Sequence, residues 1–194
     1  MSADGQRIVS GSEDERVKVW DALSGACLST LEGHDREVTS VCISADGQRI
    51  VSGSWDKTVK VWDALSGACL STLEGHDDRV LSVCIRADGQ RIVSGSCDKT
   101  VKVWDALSGA CLSTLVRHDD EVSSVCISAD GQRIVSGSED KTVKVWDALS
   151  GACLSTLEGH DDWVLSVCIS ADGQRLVSGS EDKTVKVWDA LSGA

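Results

Sequence analysis

A tryptophan-aspartate pair at Trp20-Asp21 returns as Trp62-Asp63, Trp104-Asp105, Trp146-Asp147 and Trp188-Asp189, in steps of 42 residues. A fixed period of that size marks a repeat architecture. A unit this small cannot bury a core alone, so each must stack on its neighbours. The units are nearly identical, and the few positions where they differ stand out within the single chain.

In the unit from His34 to Gly75, Val38 to Ile43 is rich in Val and Ile. Its near-continuous run Val41-Cys42-Ile43 predicts a strand covered on both faces. Ala45-Asp46-Gly47 carries the Asp-Gly hairpin signal. Arg49 to Ser54 predicts a second strand. Thr58 to Asp63 predicts a third, where Val59 and Val61 alternate with Lys60 and Trp62. After the turn Leu65-Ser66-Gly67, Ala68 to Leu73 predicts a fourth. No helical spacing competes, so the chain is expected to be all-β. The apolar first strand is expected innermost and the fourth, with Ser71 and Thr72, outermost, which is the radial order of a propeller blade.

Gly33-His34, Asp46-Gly47, Ser52-Gly53-Ser54-x-Asp56 and Val61-Trp62-Asp63 together resemble the WD40 repeat, and the resemblance covers essentially the whole chain. The near-identity of the units is similar in particular to the WD40 arrays of NLR-type self/non-self recognition proteins. Two positions depart from the family pattern. Its frequent Ser-Pro-Asp-Gly is Ser44-Ala45-Asp46-Gly47 here, and its usual first-strand aromatic is Ile43. The resemblance implies WD40 β-propeller blades, each a four-stranded antiparallel sheet, in one array over 1–194. Residues 34–75, 76–117 and 118–159 would be full blades, with 1–33 and 160–194 partial ones. That is an incomplete array of about 4.5 blades, where WD40 rings usually close with about seven. An open arc is expected unless oligomerisation closes it. Apolar faces exposed at both ends would drive self-association into a homo-oligomer, or the chain is part of a longer repeat array.

Each full unit contains a histidine, a serine and an aspartate in the manner of a hydrolase triad. By the resemblance, His34, Ser52, Asp56 and Trp62 instead form a hydrogen-bonded structural tetrad inside one blade. The equivalent sets are His76, Ser94, Asp98 and Trp104; His118, Ser136, Asp140 and Trp146; and His160, Ser178, Asp182 and Trp188. A buried indole and imidazole both need partners. A constellation repeated four times is expected to hold the fold rather than to catalyse. No phosphate-binding glycine loop or ligand-spaced carboxylate cluster appears. No enzyme activity, cofactor or metal is expected.

Three columns vary between units. The third residue after the histidine reads Glu37, Arg79, Glu121, Trp163. Two residues on come Thr39, Leu81, Ser123 and Leu165. The residue before the turn aspartate reads Glu13, Trp55, Cys97, Glu139, Glu181. Residues two apart in a strand share a face, which puts the first two columns together. The WD40 arrangement implies that all three converge on the upper rim. Trp and Arg are favoured anchors of binding surfaces. The alternative is neutral drift at exposed sites, against which stands the constancy of Gln48, Arg49, Lys57, Lys60 and their equivalents. Glu15-Arg16, Arg36, Arg86 and Val116-Arg117 also break the repeat. Arg117 replaces a glycine and is expected to strain its connection.

The net charge of −12 disfavours nucleic acid and anionic membrane as partners. The acidity is either a solvated surface or a field that steers a basic partner. Nine cysteines without a C-x-x-C pair suit buried small hydrophobes in a reducing cytosol or nucleus, with disulfides the alternative. No run approaches the ~18 apolar residues that span a bilayer. The favoured function is a protein-protein interaction scaffold that binds a protein or peptide on the variable rim. The alternative is a structural, self-assembling propeller fragment, a natural truncation or a designed repeat, with no partner but itself.

Overall fold

The computed structural model describes residues 1–190, so the last four positions of the 160–194 unit lie outside the described residues. Among the described residues, eighteen strands form five antiparallel meanders. The first sheet has β1 (Arg7–Gly11), β2 (Val17–Asp21) and β3 (Cys27–Leu31). The second has β4 (Val38–Ile43), β5 (Arg49–Ser54), β6 (Val59–Asp63) and β7 (Cys69–Leu73). The third has β8 (Val80–Ile85), β9 (Arg91–Ser96), β10 (Thr100–Asp105) and β11 (Cys111–Val116). The fourth has β12 (Val122–Ile127), β13 (Arg133–Ser138), β14 (Val143–Asp147) and β15 (Cys153–Leu157). The fifth has β16 (Val164–Ile169), β17 (Arg175–Ser180) and β18 (Val185–Asp189).

Strands β4, β8, β12 and β16 lie side by side in that order, which sets them nearest the axis. Four hydrophobic cores join successive sheets. In each, valines and a leucine of one sheet (Val51, Val59, Val61, Leu73) meet an inner-strand pair, an isoleucine, a tryptophan and an alanine of the next (Val80, Val83, Ile92, Trp104, Ala106), with Leu176 in place of the isoleucine in the last core. Among the described residues no such core joins the fifth sheet to the first. The array is therefore an open arc of about 4.5 WD40-type blades.

The innermost strand is less covered than its apolar run suggests. Within β4 only Val38 is buried, whereas β5 is buried from Ile50 to Ser54. The reason is position, because an axial strand has its sheet on one side and open space on the other. Its serines also tie sheets together. The Val83 N–H donates to Ser40 Oγ at 3.0 Å, and the Val125 and Val167 N–H groups donate to Ser82 and Ser124 Oγ at 3.1 Å.

The cysteines divide largely by strand, with Cys168 of the last inner strand exposed and Cys153 of an outer strand partly buried. Cys42, Cys84 and Cys126 are partly buried on the inner strands, and Cys27, Cys69 and Cys111 are exposed on the outer ones, so burial holds for only part of the set. All nine are free thiols. Burial pushes the Cys42 and Cys126 thiols up to about 12.

Candidate functional site

The tetrads have full hydrogen-bonding geometry. His34 Nδ1 lies 2.6 Å from Asp56 Oδ2 and Nε2 lies 2.7 Å from Ser52 Oγ, while the Trp62 indole N–H donates to Ser52 Oγ at 2.8 Å. A carboxylate only accepts, so Nδ1 carries the donated proton. Ser52 already accepts from the indole, and its own O–H donates to Nε2. The sets built on His76, His118 and His160 repeat these distances to within 0.1 Å. Burial opposes ionisation of Asp56. Hydrogen bonds from His34, the Thr58 hydroxyl and the Thr58 backbone N–H outweigh it and hold the carboxyl well below the usual range. Ser52, Ser94, Ser136 and Ser178 have no exposed surface. The triad-like geometry is present, but its hydroxyl accepts from an indole and has no exposed surface.

The variable residues are joined pairwise through the main chain. The Trp55 N–H donates to the Glu37 carbonyl at 3.0 Å, and the Cys97, Glu139 and Glu181 N–H groups donate to Arg79, Glu121 and Trp163 carbonyls at 2.9 Å. Neighbouring sheets then meet through side chains. The Arg79 guanidinium carbon lies 4.8 Å from the Trp55 ring centroid, and Arg79 Nη2 lies 3.8 Å from Glu121 Oε1. Cys97 is buried and donates its thiol proton to Glu121 Oε2 at 2.9 Å. Burial and that carboxylate push the thiol up to about 12. Partial burial, with Glu121 and Asp120 close by, raises the Glu139 carboxyl. Glu13, Glu37, Thr39 and Trp55 line one cleft between the first two sheets. Trp163 and Leu165 are 46% and 45% exposed on the last sheet.

Two sequence inferences need correction. Thr39 and its equivalents do not follow strand alternation. Val38 pairs with Ser54 and Ser40 with Gly53, which leaves Thr39 as the extra residue of a β-bulge, and Leu81, Ser123 and Leu165 occupy the same position. A bulge re-aims its side chain. The Thr39 hydroxyl donates to the Val80 carbonyl at 2.6 Å and Ser123 donates to Val164, so both fasten the next sheet. Leu81 is half-buried.

The constancy of the lysines and arginines has a packing cause. Lys57 takes a left-handed backbone conformation (φ 72°), and its Nζ donates to the Asp77 carbonyl of the next sheet at 2.8 Å. Lys60 Nζ donates to Thr72 Oγ1 at 2.9 Å, and Arg49 Nη1 donates to the Gly89 carbonyl at 3.2 Å. What sets the rim apart is therefore its geometry, not the contrast with constant exposed neighbours.

The structure also gives three of the repeat-breaking residues a place. Arg86 replaces the serine that caps Asp46 in the second sheet. Its Nη1 lies 3.2 Å from Asp88 Oδ2 and its Nη2 donates to the Asp130 carbonyl at 2.9 Å, clamping the third sheet to the fourth. Arg117 avoids the positive φ of Gly33, Gly75 and Gly159, and β11 is longer by one residue, pairing Val116 with Thr100, so the expected strain is relieved. Arg16 pairs with Glu32 at 3.1 Å. Nothing in the structure explains Arg36.

The family model described as WD domain, G-beta repeat matches residues 1–21, 25–63, 67–105, 109–147 and 151–189. Among curated proteins, Nuclear distribution protein PAC1 of Mycosarcoma maydis is 45% identical over 40 residues, which is 21% of this chain and 9% of the fungal protein. F-box/WD repeat-containing protein 7 of Drosophila melanogaster is 58% identical over 36 residues, 19% of this chain and 3% of the fly protein. Polyadenylation factor subunit 2 of Neurospora crassa is 56% identical over 32 residues, 16% of this chain and 5% of that protein. Each match spans less than a tenth of the relative's length. The repeated strands, the four tetrads and the five family matches agree: the chain belongs to the WD40 repeat family.

Proposed function

We propose that the chain is a non-catalytic interaction scaffold and that its variable rim holds a protein or peptide. WD40 proteins generally act in this way, and one observation carries the reading here. The residues that differ between units gather along one edge of successive sheets and touch across sheet boundaries, as Trp55, Arg79 and Glu121 do. The buried serine of every tetrad argues against catalysis. The net charge argues against nucleic acid and anionic membrane, and nine free thiols suit the cytosol or nucleus. The experiment is a comparison of proteins captured by the native chain and by Trp55→Ala/Arg79→Ala/Trp163→Ala. The triple variant should keep its circular dichroism and lose the specific partners; unchanged capture removes the rim as the recognition surface.

A second reading, head-to-tail assembly of copies, has its own support. Val185 and Val187 of β18 are 71% and 58% exposed, although their equivalents Val59 and Val61 are buried. At the other end Ile8 is 42% exposed where its equivalent Ile50 is buried. These are the two halves of the core that joins every interior pair of sheets, so one copy offers what the other lacks. A strictly monomeric 194-residue chain in light scattering at micromolar concentration would refute assembly.

A further inference from the structure

We propose that two copies of the chain exchange a strand: β3 of each leaves its own β2 and completes the last sheet of the other at the open edge of β18. This rests on the assembly reading and names a contact that stacking of whole copies lacks. The exchange is open to the chain because β3 meets the same strand in either place. β2 and β18 are both Val-Lys-Val-Trp-Asp. The register that sets Val17 opposite Leu31 and Lys18 opposite Thr30 therefore serves equally for Val185 and Lys186 of the other copy. In the second to fourth sheets an outer strand covers this edge, and among the described residues the last sheet has none.

Other contacts decide between the two places, and they favour the other copy. Along the axis, an interior boundary is closed by a serine of one inner strand and an N–H of the next, as by Ser40 Oγ and the Val83 N–H at 3.0 Å. The first sheet has no inner strand. Among the described residues the Val41 N–H, at the place of Val83, therefore meets no such serine, and Ser166 on β16 accepts no such N–H. Each offers what the other lacks.

The apolar seam shows the same gap. Val51, Val93 and Val135 are fully buried, and Val83, Val125 and Val167 are buried beside them. At the first boundary their equivalents Val9 and Val41 are only partly buried. The lysine clamp is missing there too. Lys57, Lys99 and Lys141 each donate to a carbonyl of the following sheet at 2.7–2.8 Å. Glu15 stands at their place in the first sheet, with the same left-handed backbone (φ 69°), and a carboxylate cannot donate to the Asp35 carbonyl. Lys183 of the last sheet has that backbone (φ 66°) and, among the described residues, no following sheet to reach.

The exchange also fits the number of sheets. Three four-stranded sheets and one completed by the other copy make four per chain and eight in a reciprocal pair, within the roughly four to eight blades of closed propellers. Stacked whole copies would bring ten sheets to the ring. The turn at residues 22–26 is the hinge, and the β1–β2 hairpin is the part released. Swapping an identical element in this way is a low-cost route to a dimer.

The test measures association of the full chain by sedimentation velocity and light scattering at micromolar concentration. The native chain should form particles of two copies. Glu15→Lys gives the first sheet the clamp it lacks, and Ser166→Ala removes the serine offered by the last. Each should weaken association by about threefold to tenfold, the equilibrium effect of one hydrogen bond, with circular dichroism unchanged. Ile8→Asp puts a charge on a face that stacking would bury and exchange leaves in solvent, so it should not weaken association. Loss of association in Ile8→Asp, or undiminished association in both other variants, overturns the exchange while assembly stands. A native chain that stays monomeric overturns both.

Discussion

The Arg79 guanidinium lies over the Trp55 indole, 4.8 Å from its centroid, although the two side chains come from neighbouring sheets. A cation over an aromatic face contributes about 0.5–1 kcal/mol at exposed sites. A double-mutant cycle with Arg79→Ala and Trp55→Leu, read by urea unfolding, should return a coupling of about that size. A coupling of zero would mean that the contact contributes no stability.

A full tetrad and the lone Ser10–Trp20 pair of the first sheet differ in their partners, and this gives a paired prediction. Ser52→Ala leaves His34 Nε2 and the Trp62 N–H buried without their partner and should cost about 1–3 kcal/mol. Ser10 accepts only the Trp20 N–H, and Trp20 is half-exposed, so water can replace the hydroxyl. Ser10→Ala should stay within about 0.5 kcal/mol. Equal losses in thermal or urea unfolding would contradict this account of the tetrad.

Asp56, Asp98 and Asp140 are held below the ordinary carboxyl range, burial being outweighed by hydrogen bonds from the histidine and threonine of each set. A carboxyl depressed in the folded state stabilises above its unfolded value of about 3.9, and that contribution is lost as pH falls towards the folded value. Stability should therefore be level above about pH 5 and decline steeply below about pH 4. In Asp56→Asn the decline should be shallower by about one proton. An unchanged slope in denaturation at successive pH values would show that Asp56 does not report folding in this way.

Gly137 and Gly179 occupy the same place in two successive units and differ only in what covers them. A Cβ on Gly137 would lie 2.7 Å from Val164 Cγ1 and 2.8 Å from Val167 Cγ1, whereas at Gly179 nothing lies within 4 Å. Gly137→Ala should cost about 1–3 kcal/mol by overpacking, and Gly179→Ala about 0.5 kcal/mol at most in the isolated chain. The second variant also reads assembly. If another copy covers the last sheet, Gly179→Ala should weaken association in light scattering while leaving the monomer's unfolding curve in place.

The parts of the structure legible in the sequence were those with a period. Trp62 and His34 recur with their partners at fixed spacing, and Val38–Ile43 and Arg49–Ser54 are the observed strands β4 and β5. What was hidden came from single residues or from contacts between sheets. Strand alternation says nothing about a bulge, so the inter-sheet role of Thr39 could not be read from its neighbours. Nor does a sequence show that Lys57 reaches the Asp77 carbonyl, and its constancy looked like an idle surface. Arg86 broke the pattern visibly, but its clamp on Asp130 depends on a register between sheets that no local signal encodes.

The hydrogen bonds that pair Glu37 with Trp55, Arg79 with Cys97, Glu121 with Glu139 and Trp163 with Glu181 use only peptide groups. A main-chain bond forms with any side chain that the backbone conformation accepts. Each unit therefore acts as a socket with two interchangeable contacts. Carboxylate, thiol, guanidinium and indole have all been seated there without a change of fold. A chain built in this way can exchange the side chains on this edge one unit at a time, and duplication of a unit carries a ready-made pair of positions into a new place on the surface.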